Sequence, residues 1–102
     1  MKKARVFMHG LEAGILKEIE KGKSYIFKYS ESYKNEPVSQ TMPIIKKEYK
    51  FNSFPSFFDG LLPEGVLLEG LLRRSKIDRN DYFSQLVTVG ADLVGAVTVE
   101  EI

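Results

Sequence analysis

The sequence predicts a single α+β domain, in which a small antiparallel sheet, mostly a meander, packs with a C-terminal helical layer and a final short strand. The chain has 102 residues, 43% of them hydrophobic, which is enough for one core and too short for two. Its first half alternates apolar and polar residues with the period of a strand, whereas its second half spaces leucines as a helix does. We therefore expect residues 1–102 to form one domain.

The first half begins with two predicted strands. Apolar and polar residues alternate over residues 4–8, and the His9-Gly10 pair that follows is typical of a tight turn. Residues 11–19 suit a second strand, with a helix as the competing interpretation. Gly14 interrupts this strand and suggests a β-bulge.

A third strand and an irregular segment follow. Residues 20–23 have the composition of a turn, and residues 24–29 are aromatic and β-branched, which predicts a strand. Residues 30–50 are polar and contain two prolines, so we expect a short helical turn and irregular extended pieces. Within them, residues 43–49 predict a brief edge strand, which its lysines protect from pairing with another chain.

The second half predicts a short helix or turn and then a longer helix. Residues 54–63 have a proline near their start and a glycine and a second proline near their end. Residues 64–75 predict a helix that ends in Arg73 and Arg74, where basic side chains are favourable. The apolar face of this helix is expected to comprise Val66, Leu67, Leu68, Leu71 and Leu72.

A last helix and a last strand complete the prediction. Asp78 is the expected N-cap of the helix, with Asp81 in its first turn, and Gly90 is expected to end it. Residues 95–99 predict a strand that can return to the sheet. The buried face of the helix is expected to comprise Tyr82, Phe83, Leu86 and Val87.

Composition and motifs exclude most catalytic chemistry. The chain has no cysteine, which removes disulfides, thiolate zinc sites and cysteine nucleophiles. The single histidine, His9, occupies a turn-like position with no catalytic motif around it. Glycines at 90 and 95 have the spacing of a phosphate loop, but Ala96 and Val97 stand where lysine and a hydroxyl residue are required. We predict no enzyme activity, no cofactor and no metal site.

Charge and hydropathy limit the partners. The net charge is +1 and the isoelectric point about 7.9, below the value above 9 that is usual for nucleic-acid-binding domains. Residues 1–50 are net basic and residues 51–102 net acidic, which indicates either a sorted solvated surface or a dipole that orients the domain on a partner. No apolar run is long enough for a signal peptide or a membrane span, so we expect a cytoplasmic protein without nucleic-acid or membrane contacts.

One loop is the candidate functional segment. Asp59 and Glu64 bracket residues 60–63 and can form an acid/base pair, although turn and capping roles explain both carboxylates. The loop is mildly apolar, contains proline and lies between helices, so an exposed leucine or valine there can anchor a partner. The predicted partner-binding residues are Phe58, Asp59, Leu61, Leu62, Pro63, Glu64, Gly65 and Val66, of which the first two support the shape of the loop.

Three motifs in order resemble the N-terminal subdomain of HipA-type serine/threonine kinase toxins. They are FFDGLLPEG at residues 57–65, DYFSQL at residues 81–86 and VGADLVGAV at residues 89–97. The sequence stops where the kinase body of a HipA protein begins. The resemblance therefore implies a stand-alone form similar to HipS of the tripartite HipBST toxin–antitoxin systems.

The resemblance implies that HipS is the antitoxin of these systems, which binds and restrains a shortened HipT kinase. It also implies a HipB-like helix-turn-helix protein as the third component. An alternative remains open: the chain can be the structural or dimerisation subdomain of a complete HipA-like kinase. A third class, nucleic-acid binding by the isolated domain, predicts a DNA affinity that depends steeply on salt. We expect little such affinity.

Overall fold

A computed structural model describes residues 2–93 and 95–102 and contains a five-stranded antiparallel sheet with three α-helices, which confirms the α+β prediction. Val94, inside the third family motif, lies outside the described residues. The strands are β1 (Lys2–Met8), β2 (Leu11–Glu20), β3 (Ser24–Tyr29), β4 (Glu48–Phe51) and β5 (Val97–Glu101). The helices are α1 (Ser56–Asp59), α2 (Gly65–Ser75) and α3 (Tyr82–Val89), and a 3₁₀ turn (Gly90–Asp92) follows α3.

The sheet has the strand order β4-β3-β2-β1-β5, so three consecutive strands form a meander and the last strand returns beside the first. The predicted turn between β1 and β2 is confirmed: His9 and Gly10 have φ values of 51° and 83°, as the favoured two-residue hairpin turns require. The predicted return of the C-terminal strand is also confirmed, since Val99 pairs with Val6 of β1.

The second strand has the bulge that its glycine suggested, and the competing helix is wrong. Val6 pairs with Gly14 while Phe7 pairs with Glu12, so Ala13 is the extra residue, one position before the glycine. Gly14 itself approaches the backbone of Lys28 so closely that a Cβ atom would overlap the Lys28 carbonyl. The glycine therefore permits close approach of β2 and β3.

The edge strand lies later in the chain than residues 43–49. It spans Glu48–Phe51 and pairs with β3, while the residues before it stay irregular. Tyrosine hydroxyls hold this irregular segment, because Tyr49 donates a hydrogen bond to the Pro43 carbonyl and Tyr29 donates one to the Met42 carbonyl. Backbone groups that bond to side chains in this way are not available for a strand ladder.

The N-cap of α3 is Asp81, so the prediction of Asp78 is wrong. The Asp81 carboxylate accepts hydrogen bonds from the Ser84 amide at 3.2 Å and the Ser84 hydroxyl at 2.8 Å. Asp78 instead begins the preceding turn, where its carbonyl accepts from the Asp81 amide at 3.0 Å. The chain therefore enters the helix three residues later than the sequence suggested.

Gly90 follows the last residue of α3, as expected, but for a different physical reason. Its φ of −55° is right-handed, so the glycine does not supply a left-handed stop. A Cβ atom there would overlap the Val99 carbonyl of β5. The absence of a side chain thus lets the end of α3 lie directly against the edge of the sheet.

One face of the sheet forms the core. Burial alternates along β1 and β3, and Val6, Leu16 and Phe27 are fully buried. Phe58 of α1 and Phe83 of α3 pack into the same cluster. No helix in the described ranges, 2–93 and 95–102, is long and apolar enough to cross a lipid bilayer.

Candidate functional site

Two buried residues anchor the loop between α1 and α2 in the core. Phe58 is 0% exposed, and its ring centroid lies 6.0 Å from that of Phe27 in the sheet. Leu62 is 9% exposed and belongs to the same core cluster. The position of Phe58 fits its predicted supporting role. Leu62 contributes to the core rather than serving as an exposed anchor, so substitution with aspartate would test folding and not binding.

The backbone of the loop is ordered by successive turns. The Gly60 amide donates to the Ser56 carbonyl at 3.0 Å. The Leu61 amide donates to the Phe58 carbonyl and the Leu62 amide to the Asp59 carbonyl, both at 3.1 Å. Gly65, the first residue of α2, has a φ of 60°, a left-handed conformation that favours glycine. The loop therefore presents α2 at a defined angle.

The two bracketing carboxylates do not meet a catalytic group among the described residues. Asp59 is the last residue of α1 and is exposed. Glu64 is the N-cap residue of α2, not part of its first turn, and its side chain makes no capping hydrogen bond. The predicted first-turn position of Glu64 is therefore wrong by one residue, and the structure leaves its carboxylate exposed at the start of the helix.

Helix α2 is the least buried of the longer elements. Only Leu71 is buried, whereas Val66 and Leu67 are 87% and 75% exposed. The prediction that these two residues lie on a buried face is wrong, because nothing described in this chain covers the start of the helix. Val66 was among the predicted contact residues, and Leu67 was not.

An apolar groove adjoins this exposed pair. It has a volume of about 580 Å³ and is lined by the loop, α2 and the residues after α3. Leu61 and Pro63 of the predicted segment form part of its wall, together with Leu67 and Leu71. Arg74 and Asp92 are its charged lining residues. The groove and the exposed start of α2 form one continuous surface, which we call the α2 surface.

Among the charged side chains described near the α2 surface, Glu69 and Arg79 form an ion pair, whereas Arg73 and Arg74 do not. Arg79 binds Glu69 of α2 through two hydrogen bonds of 2.7 and 2.8 Å. This hydrogen bond lowers the pKa of Glu69 and raises that of Arg79. Arg73 and Arg74, in contrast, are exposed and take part in no ion pair among residues 2–93 and 95–102.

Two titratable side chains elsewhere, Tyr25 and His9, each contact a carboxylate of this chain. The Tyr25 hydroxyl donates to the buried Glu18 carboxylate at 2.9 Å, and burial is the main cause that raises the pKa of Tyr25 to about 12. His9 is exposed and lies 3.2 Å from the carboxylate of Glu36, which agrees with its predicted turn position. In the described part of the chain, no group of three or more histidine, cysteine, aspartate or glutamate side chains is arranged to hold a metal ion.

Comparison with known proteins identifies the domain. The sequence model of the HipA N-terminal domain matches residues 4–100. An uncharacterized protein of Haemophilus influenzae is 30% identical over 99% of this chain and 93% of its own length. A putative kinase of Sinorhizobium fredii, Y4dM, is 32% identical over 92% of this chain, which spans only 25% of that protein.

A solved structure shows the same fold. The N-terminal domain of HipA toxin superposes with a TM-score of 0.78 and 25% identity, covering 100% of this chain and 93% of that one. The family match covers all three motifs, every helix and the strands β2 to β4, and it omits only the outer ends of β1 and β5. The chain belongs to the HipA N-terminal domain family.

Proposed function

We propose that this protein is a non-catalytic antitoxin that binds a HipT-like serine/threonine kinase through the α2 surface and inhibits it. The observation that carries the proposal is the exposure of Val66 and Leu67 beside an apolar groove. Val66 and Leu67 are adjacent on one helix, whereas Ile45, at 92% exposure, lies in an irregular segment. Contiguous exposed apolar surface of this kind marks interaction sites.

The small apolar area that α2 buries within this chain supports the proposal that a partner covers the helix. Isolated helices shorter than about 12 residues are marginal in water, and helices in proteins depend on burial of an apolar face. The 11 residues of α2 bury only Leu71 within this chain. A partner that covered Val66 and Leu67 would bury the rest of the face and stabilise the helix.

The relatives support a kinase as that partner. The putative kinase of Sinorhizobium fredii is about four times longer and contains a homologous domain, whereas the Haemophilus influenzae relative is matched over nearly its whole length. The domain thus occurs both inside a putative kinase and in a protein of about this size. We infer that the separate form binds a kinase body that lacks the domain.

Inhibition follows from the requirements of phosphoryl transfer. A kinase must hold its nucleotide, metal ions and catalytic residues in one productive arrangement. A rigid domain docked beside the cleft can insert its α1–α2 loop or stabilise an inactive conformer. In this proposal the domain needs no catalytic group of its own, and a HipB-like protein would bind the kinase elsewhere.

The test is a calorimetric titration against a HipT-like kinase body from the same genome. We expect wild type to bind and to reduce phosphorylation, and the Val66→Asp/Leu67→Asp variant to bind roughly 100-fold more weakly because it buries two charges. Both residues are exposed, so the variant should fold. Ile45→Asp, an exposed aliphatic residue far from α2 in sequence, is the matched control and should bind as wild type does.

Two results would contradict the proposal: wild type that neither binds nor inhibits the kinase, or an α2 variant that binds as tightly as the Ile45 control. A complete HipA-type kinase, which contains its own domain, provides a further comparison. It should not bind the added protein, because its own domain occupies the site.

A further inference from the structure

The α2 surface has an unpaired basic end, which is aligned with its exposed apolar start. In an α-helix, residues separated by three or four positions lie on the same face. Two neighbouring stripes therefore run along α2, each starting with an exposed aliphatic residue and ending with an arginine seven positions later. The first stripe is Val66, Glu69, Gly70 and Arg73, in which Glu69 is already bound by Arg79, and the second is Leu67, Leu71 and Arg74.

The two arginines differ from the other arginine of this region. Arg79 already binds a carboxylate, that of Glu69, with both of its terminal nitrogens. Arg73 and Arg74 have no carboxylate within ion-pair distance among the described residues, and Arg74 lines the apolar groove. Arg74 thus adjoins the space that the proposed partner would occupy, whereas Arg73 lies near Glu69, whose pKa its charge lowers.

The helix terminus alone explains only part of this arrangement. Basic residues in the last turn interact favourably with the helix dipole, and this contribution falls with salt. That contribution does not depend on which face the basic residues share. In α2, both arginines continue the stripes that Val66 and Leu67 begin, so the charged and apolar parts form one surface.

We propose that the partner surface covering α2 is apolar at one end and acidic at the other. Its carboxylates would meet Arg73 and Arg74 about 10 Å from the site that receives Val66 and Leu67, which is the rise of seven helical residues. This inference rests on the proposed function and specifies the chemistry of the kinase surface. Arginine suits the role because its planar guanidinium binds carboxylates through paired hydrogen bonds.

Charge reversal with a matched control tests the inference. Arg73→Glu/Arg74→Glu and Lys23→Glu/Lys34→Glu change the net charge equally, and all four positions are exposed. At low salt we expect the arginine variant to bind the kinase body about 10- to 100-fold more weakly than wild type, and the lysine variant less than about threefold. At about 0.5 M salt the difference should shrink, because salt screens exposed charges.

The outcomes separate this inference from the proposed function. If wild type binds and the Val66→Asp/Leu67→Asp variant does not, but both charge-reversal variants bind alike, the acidic partner surface is wrong and the docking site stands. If wild type does not bind the kinase body, the proposed function is wrong. Sedimentation that shows wild type alone forming a dimer that the same α2 substitutions dissociate would overturn the inference in favour of a second copy.

Discussion

At the scale of single residues, Tyr29 shows how one hydroxyl group organises a segment without regular structure. Its side chain is 1% exposed, and its hydroxyl accepts a hydrogen bond from the Val38 amide at 3.1 Å while it donates to the Met42 carbonyl. The aromatic content of residues 24–29 predicted a strand correctly. It carried no information that this hydroxyl would hold backbone groups 9 and 13 residues further along the chain.

Replacement of Tyr29 by phenylalanine should lower the free energy of unfolding by about 1–3 kcal/mol, because two buried backbone groups would lose their partner. Urea denaturation measures the change. Tyr49→Phe is the control, since the Tyr49 hydroxyl bonds to the Pro43 carbonyl at an exposed position and its loss should cost less. Equal losses for the two variants would show that the Tyr29 hydroxyl does not hold the loop as described.

The carboxyl group of Asp81 predicts that the stability of the fold depends on pH. Burial raises its pKa, but hydrogen bonds from Ser84 and the charges of Lys2 and Lys21 outweigh burial and hold the pKa below the ordinary value of 3.8. A carboxyl with a depressed pKa in the folded state stabilises the protein above its unfolded pKa, and this stabilisation is lost as pH falls through the folded pKa.

Asp81→Ala should therefore cost about 1 kcal/mol at neutral pH, where the carboxylate caps α3. The cost should begin to diminish as the pH falls below about 4, where the carboxyl of the unfolded chain takes up a proton, and should vanish once the pH lies below the depressed pKa of the folded carboxyl. Thermal unfolding of wild type and of the Asp81→Ala variant, from neutral pH to below about pH 4, measures this cost. Asp78→Ala is the control, because its backbone carbonyl rather than its carboxylate makes the contacts seen here. A cost that does not vary with pH would contradict the assignment of the charged cap.

At the scale of helices and strands, periodicity predicted which residues share a face but not what covers that face. Residues 64–75 have the pattern of a core helix, yet Val66 and Leu67 lie in solvent. The same pattern arises whether the covering surface belongs to the same chain or to another. For α3, two aspartates precede the helix, and only the position of Ser84 decides which one is the cap.

The junction between α3 and β5 gives a prediction at this scale. Gly90→Ala should destabilise the fold by about 1–3 kcal/mol, because the added methyl group overlaps the Val99 carbonyl and backbone must move. Gly70→Ala is the matched control: it lies inside α2 with open space around its Cα, and alanine there should stabilise the helix by up to about 1 kcal/mol. Chemical denaturation should give changes of opposite sign, and changes of the same sign would contradict this packing.

At the scale of the whole molecule, the fold class and topology follow from the sequence because both depend on local patterns. Alternation, turn residues and leucine spacing predicted the meander, the helices and the returning strand, which the structure confirms. The proposed docking surface does not follow in the same way. Leu62 and Val66 are both apolar residues of one short segment, and only the tertiary structure shows that one is buried and the other exposed.

Hydrogen exchange followed by mass spectrometry tests the central claim most directly, since it observes α2 itself with and without the kinase. In the isolated protein, amides of α2 should exchange far faster than those of β2, because α2 buries only Leu71. Addition of the HipT-like kinase body should slow exchange across residues 65–75 by at least about tenfold and leave the central strands unchanged. Protection confined to another surface, with α2 exchanging at its free rate in the complex, would contradict the account.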